Sequence, residues 1–100
     1  MPTYIRLTKL TEDGHSDIEN SVSRTEQMKA MANEMGGSIE KLFLTVGGYD
    51  FVTVAEFPND QMNAQFALRF AREGVAETQT LKAMEESSFE EVVHGLSVVG

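Results

Sequence analysis

Tyr49 and Asp50 stand side by side directly after Gly47-Gly48 and pair a phenolic donor with a carboxylate acceptor. Neighbouring groups of those two types can donate a proton to a bound molecule, accept one, or orient it by hydrogen bonds. The same two side chains also suit a structural role, a tyrosine packed at a sheet edge and an aspartate bonded to the amides of its own turn. Arg6 and Lys82 supply two cations that, on neighbouring strands, would hold an anionic small molecule or the acids of another subunit. Tyr4 lies two residues before Arg6 and so shares its face in an extended strand. The candidate ligand-binding set is therefore Tyr4, Arg6, Tyr49, Asp50 and Lys82, with Gly47 and Gly48 as the turn that presents two of them.

Other chemistry is thinly represented. His15 lies among Glu12, Asp13, Asp17 and Glu19, but the spacing matches no established metal-ligand pattern and reads as a solvated acidic loop. His94, near the chain end, reads as a residue favoured by the dipole at a helix C-terminus. Neither histidine has a serine or aspartate at telling spacing, so no nucleophile triad and no catalytic set is assigned. There is no cysteine, which removes disulfides, thiolate nucleophiles and thiolate-held zinc or iron–sulfur centres. No Gly-rich phosphate loop is present either, and neither a metal nor an organic cofactor is expected.

The elements that must position these groups follow from periodicity. Tyr4-Ile5-Arg6-Leu7-Thr8-Lys9 alternates with period two, which predicts a strand with Ile5 and Leu7 on its buried face and Tyr4, Arg6 and Thr8 on the other. Leu10 to Val22 loses all periodicity and contains Asp13-Gly14, which predicts a loop of about a dozen residues. Ser23 and Glu26 fit a capping box for a helix whose Met28, Met31, Ala32 and Met35 form one core-facing stripe, stopped by Gly36-Gly37. Leu42 to Ala55, broken by Gly47-Gly48, predicts a hairpin with a tight turn in which both glycines allow positive φ. Asn59 or Asp60 caps a second helix carrying Met62, Phe66, Ala67, Phe70 and Ala71, closed by Gly74. Val75 to Met84 predicts a fourth strand with Thr78, Thr80 and Lys82 on one face. Ser87 or Ser88 then caps a last helix with Phe89, Val92, Val93 and Leu96 on its apolar side.

That order, β-α-β-β-α-β-α, predicts an α+β fold of the ferredoxin-like βαββαβ type with an extra C-terminal helix. Its four-stranded antiparallel sheet has strands one and three at the centre. Two helices cover one face, so the face expected to carry Tyr4, Arg6, Thr8, Thr78, Thr80 and Lys82 is left for water, a ligand or another subunit. Hairpin register decides which of Phe43, Thr45, Phe51 and Thr53 join it.

At 100 residues the chain makes one domain, residues 1–100, with no repeat or linker. No apolar run approaches the ~20 residues of a membrane span. The start of the chain shows no secretory signal, so the cytoplasm is the expected location. A net charge of −8, from 16 acidic and 8 basic residues, opposes nucleic-acid binding.

The chain resembles the GYD domain family along nearly its whole length. The resemblance rests on Met1-Pro2-Thr3-Tyr4-Ile5, on Gly36-Gly37, on Phe43-Leu44-Thr45-Val46-Gly47-Gly48-Tyr49-Asp50, on Phe66-Ala67-Leu68 and on Thr78-Gln79-Thr80-Leu81-Lys82-Ala83. It departs from the family's pattern at Ser21-Val22-Ser23-Arg24, where many relatives have proline. The resemblance implies a dimeric α/β-barrel, in which ferredoxin-like subunits pack sheet to sheet as a homodimer or larger homo-oligomer. The effector-binding domains of leucine-responsive-type regulators are similar at Gly47-Gly48-Tyr49-Asp50, near subunit contacts and small-molecule pockets. The expected function is thus an oligomeric binding module of small-molecule-sensing or regulatory type, with no membrane or nucleic-acid partner of its own. The alternative is a cofactor-independent small enzyme, monooxygenase- or isomerase-like, since barrels of this kind include both.

Overall fold

The computed structural model describes residues 1–99, with side chains through residue 97. The elements run β1 (Thr3–Leu10), α1 (Glu12–Ser16), α2 (Ser21–Glu34), β2 (Ser38–Leu44), β3 (Phe51–Glu56), α3 (Asp60–Ala71), β4 (Ala76–Ala83) and α4 (Glu86–Val99). The four strands form one antiparallel sheet in the order β2-β3-β1-β4, the ferredoxin-like arrangement with β3 and β1 at its centre. α2 and α3 cover one face. Ala32 of α2, its C-cap Met35 and Phe66 of α3 are buried there with Tyr4, Ala55 and Phe57, while Met28 and Met31 pack around them. The methionine stripe therefore faces the core, where unbranched side chains fill irregular gaps.

Helix boundaries show what the local signals decide. Asn59 caps α3, its Oδ1 accepting the Met62 amide at 2.9 Å. α2 ends where Gly36 takes a φ of 81° and the Gly37 amide reaches back to the Ala32 carbonyl at 2.9 Å. The expected capping box at Ser23 does not form. α2 begins earlier, at Ser21, because the chain arrives already coiled through α1 and a 3-10 turn over Ile18–Asn20. The expected loop is thus mostly helical. Thr11 caps α1 by accepting the Gly14 amide, and its own amide and hydroxyl fasten the segment to Val75 and Gly74 at 3.0 and 2.7 Å. Similarly, α4 starts at Glu86, so Ser87 and Ser88 sit inside its first turn instead of capping it.

The hairpin is wider than a tight turn. β2 and β3 are separated by residues 45–50, closed by the Thr45 amide on the Asp50 carbonyl at 2.9 Å. Within it Gly47 has a φ of 154° and Gly48 has none in the positive range, so only Gly47 uses the freedom expected of both.

The largest correction concerns the faces of the sheet. Tyr4, Arg6 and Thr8 lie under the helices, 2%, 2% and 6% exposed, and cross-strand pairing puts Thr53, Thr78, Thr80 and Lys82 on that same side. Alternation identified which residues travel together but not which set is covered, because both sets contain large side chains with apolar bodies. The helices take the set whose polar tips can reach partners on α3. The uncovered face is the more apolar one. Two rows cross it from edge to edge, Lys41-Val54-Ile5-Leu81 and Phe43-Val52-Leu7-Gln79. Of the residues named for the hairpin, Phe43 joins this face, while Phe51 and Thr53 line the helix side.

Candidate functional site

Two of the five candidate residues meet at the start of α3. The Tyr4 hydroxyl donates to Asp60 Oδ1 at 2.5 Å, and Lys82 Nζ lies 3.1 Å from the same oxygen. Asp60 occupies the first turn of α3, where helix dipole and backbone amides favour a carboxylate. Hydrogen bonds from Tyr4 and then Lys82 hold its pKa below the usual range. Tyr4 moves the other way: burial first, then its bond to Asp60 and that group's charge, push the phenol up from about 10 to about 12. A phenol with a raised folded-state pKa contributes stability that is complete below about pH 10 and is lost as pH rises through about 12. The carboxylate's contribution lies on the acid side and is lost as pH falls through its lowered value. Ultraviolet titration should therefore show a tyrosinate signal arising near pH 12 that disappears in Tyr4→Phe. A Tyr4→Phe curve superimposable on wild type in that range would refute the Tyr4–Asp60 bond.

Arg6 sits one pair further along, wholly enclosed. Its Nε donates to Thr80 Oγ1 at 3.2 Å, Nη2 donates to Asn63 Oδ1, and the guanidinium carbon stands 5.1 Å from the Phe66 ring centroid. Nη1 is buried with no hydrogen-bond partner among the described residues. Burial lowers the pKa to about 10, which still leaves Arg6 charged at neutral pH. Neutral oxygens and an aromatic face, not a carboxylate, are what stabilise this cation.

Tyr49 and Asp50 stand apart from that group. The Asp50 carboxylate accepts the Leu10 amide at 2.7 Å, and its own amide donates to the Thr8 carbonyl at 2.8 Å, which clamps the hairpin to the end of β1. His15 Nε2 lies 3.8 Å from the same carboxylate. Tyr49 points to the uncovered face, where its hydroxyl donates across β1 to Gln79 on β4 at 2.9 Å. Among the described residues no three histidine, aspartate or glutamate side chains converge as a metal site. His94 lies exposed on α4.

Reasoning from sequence missed Asp60, Asn63 and Arg24. Asn63 had left a signal, since it stands three residues before Phe66 and seven before Phe70, a polar residue on an otherwise apolar stripe.

Between the helices and the sheet, away from Asp60, lies a small cleft of about 40 Å³, open on one side. The buried residues Thr8 and Thr53 line it from β1 and β3 and Ser21 and Thr25 from α2, while Phe51, Leu42, Met28 and Phe70 form apolar walls. Arg24 is its one charged lining residue, held from outside by an ion pair with Asp17. The cleft continues into a second recess shared by Arg24, Met28 and Phe70 and bounded by Glu73.

A split βαβ sheet with one helical layer, a helix-side cleft and a bare apolar face defines a ferredoxin-like α+β domain. The chain belongs to the GYD domain family, whose sequence profile matches residues 4–93. It is 31% identical over 85 residues to the glutamine synthetase and cystathionine beta-lyase binding protein of Thermus thermophilus, covering 84% of this chain and 90% of that one. Its fold is shared by FFRP-DM1, with a TM-score of 0.60 at 19% identity over 84% of this chain and 100% of the other. It is also shared by the hypothetical protein PHS023 of Pyrococcus horikoshii, at 0.59 and 19% over 86% and 93%. No helix among the described residues is long and apolar enough to cross a membrane.

Proposed function

We propose that this chain is a non-catalytic binding module, assembled as a homodimer through its bare sheet face and holding a small molecule in the helix-side cleft. The observation that carries the assembly is the pair of rows on that face. Six of the eight side chains in Lys41-Val54-Ile5-Leu81 and Phe43-Val52-Leu7-Gln79 are apolar, and Phe43 and Leu81 remain 51% and 44% exposed. Toward one end of the strands the next residues are Thr3 and Glu56, and toward the other Lys9 and Glu77, so an apolar centre has a polar rim of both signs. Protein interfaces have that anatomy, and a two-fold axis lets such a patch meet itself. Tyr49, tied to Gln79, would then lie at the seam between subunits.

A binding role, as opposed to a catalytic one, is supported by how the polar side chains are used. Tyr4, Asp60 and Lys82 satisfy one another, Asp50 is bonded to backbone, and Arg6 is bonded to Thr80 and Asn63. The Thermus relative is described as binding two enzymes, which makes protein partners a reasonable expectation for this chain too.

Val54 is the residue to test, because it lies in the middle of the bare face and is paired with Ile5 and Lys41. A carboxylate there would be desolvated against its symmetry mate. Light scattering coupled to gel filtration should give a dimer for wild type and a monomer for Val54→Asp. A monomeric wild type at about 50 micromolar, well above the micromolar range in which stable interfaces form, or a fully assembled variant, would overturn this interface. Thr80 does not probe it, since its hydroxyl faces Arg6 on the helix side.

A further inference from the structure

We infer that α4 is an arm that lies along β2 of a second copy of this chain, its apolar stripe on the partner's Phe43 and its glutamates beside the partner's Lys41. The inference rests on the pairing of bare sheet faces proposed above and names what completes that interface.

α4 stands off its own body. Phe89, Val92, Val93 and Leu96 recur at i, i+3, i+4 and i+7, and all four remain exposed. The helix makes no extensive contact with the rest of its subunit among the described residues. The radius of gyration is accordingly 15.7 Å, against about 13 Å for a compact chain of this length. In the free subunit the stripe stays uncovered, and pairing is the event that covers it.

The area of the bare face calls for such an arm. Its two apolar rows across four strands make a footprint of roughly 250 Å². Even doubled for the relief of its side chains, that falls short of the about 800 Å² that each partner gives to a standard interface. Two arms, each burying a four-residue stripe, supply the remainder.

Topology says where the arm goes. A two-fold axis running along the strands, between β3 and β1, sets β4 of one subunit over β2 of the other. Ala83 pairs with Thr3, Thr3 with Glu56 and Glu56 with Ser38, so β4 ends at the end of the sheet where β2 begins. α4, two residues after β4, therefore starts beside the first residues of the partner's β2. The 14 residues of α4 and the seven of β2 are about 21 and 23 Å long, so helix and strand match. Laid side by side, Glu90 falls about 6 Å along and Lys41 about 10 Å, and Leu96 about 15 Å along and Phe43 about 16 Å.

Charge selects this partner over a second α4. From Met84 onward the chain has Glu85, Glu86, Glu90 and Glu91 and no lysine or arginine. Glu86 and Glu90 lie four apart on one border of the stripe, so two α4 helices meeting stripe to stripe would bring like charges together. Lys41 offers the opposite sign. It is exposed on the bare face and has no ion pair among the described residues.

The absence of cysteine allows a direct test. Phe43→Cys and Leu96→Cys chains, mixed and mildly oxidised, should give a heterodisulfide identified by mass, and Lys29→Cys on the outer side of α2 should give none with Leu96→Cys. Sedimentation equilibrium should show the dimer of Val93→Asp dissociating about tenfold or more readily than wild type. Lys41→Glu should weaken it several-fold, and adding Glu86→Lys and Glu90→Lys to that chain should restore it. Circular dichroism confirms that each variant is folded. A heterodisulfide no more abundant than the Lys29→Cys control, as when α4 covers its own sheet, or a wild-type dissociation constant in Val93→Asp, would overturn the arm. Val54→Asp run alongside separates the two readings: its dissociation with Val93→Asp unchanged removes the arm alone, and the heterodisulfide in a Val54→Asp chain that stays assembled removes the sheet-face interface alone.

Discussion

Phe66→Ala should lower the stability of the folded chain by about 3–5 kcal/mol, a large part of the roughly 5–15 kcal/mol that holds a domain of this size together. Phe66 is fully buried and stands at the junction of two separate interactions. Its ring centroid lies 5.1 Å from that of Phe57, which in turn lies 6.2 Å from that of Tyr4. Its face also supports the Arg6 guanidinium at 5.1 Å. Truncation therefore opens a cavity and strips a buried cation of its aromatic contact, two costs that add in the same direction. Urea unfolding measures the loss. A change below about 1 kcal/mol, the size of an ordinary surface substitution, would show that the core does not close around this ring.

Gly14→Ala is expected to be almost as damaging, although it adds only a methyl group. A Cβ at Gly14 would lie 2.0 Å from the Val75 carbonyl oxygen and 3.2 Å from Leu10 Cδ2. A backbone carbonyl cannot swing aside as a flexible side chain can, so α1 must lift off the start of β4. Lifting it strains the Thr11 bonds to Val75 and Gly74 that fasten the segment. The loss should be about 2 kcal/mol or more, from overpacking together with weakened hydrogen bonds. Gly48→Ala makes the matched control, since a Cβ there meets nothing within 4 Å. Thermal melts of the two variants should separate clearly; coincident melts would mean that α1 does not pack as closely as described.

Gly14 also shows where sequence reasoning stops. Asp13-Gly14 has the composition of a turn, yet the glycine sits inside a short helix because of a neighbour some sixty residues away, Val75, which no local signal announces. The strands, α3 with its Asn59 cap and the Gly36-Gly37 stop were legible because their signals are local: alternation, helical spacing and a side chain bonded three residues on. The covered face of the sheet was not. Tyr4 and Arg6 look like surface residues in a strand, and they become core residues only because Asp60, Asn63 and Thr80 arrive from elsewhere to meet their polar ends. For the candidate site, the five residues chosen by chemistry divide between an α3-side cluster and the hairpin. The cleft's own Arg24 and Thr53 were passed over because each lies in a stretch that reads as ordinary helix or strand.

The last helix brings a different property of the chain into view. α4 exposes Phe89, Val92, Val93 and Leu96 at 62%, 55%, 44% and 68%, while β1 is paired along both edges in the middle of the sheet. A 14-residue helix whose apolar stripe is largely exposed among the described residues is close to the length at which isolated helices are only marginally formed. Amide protons of α4 should then exchange with solvent on the clock of a local helix–coil equilibrium, and those of β1 only on global unfolding. The molecule so carries a slow and a fast reporter within one polypeptide, and any event that covers α4 can be read as its fast amides joining the slow ones.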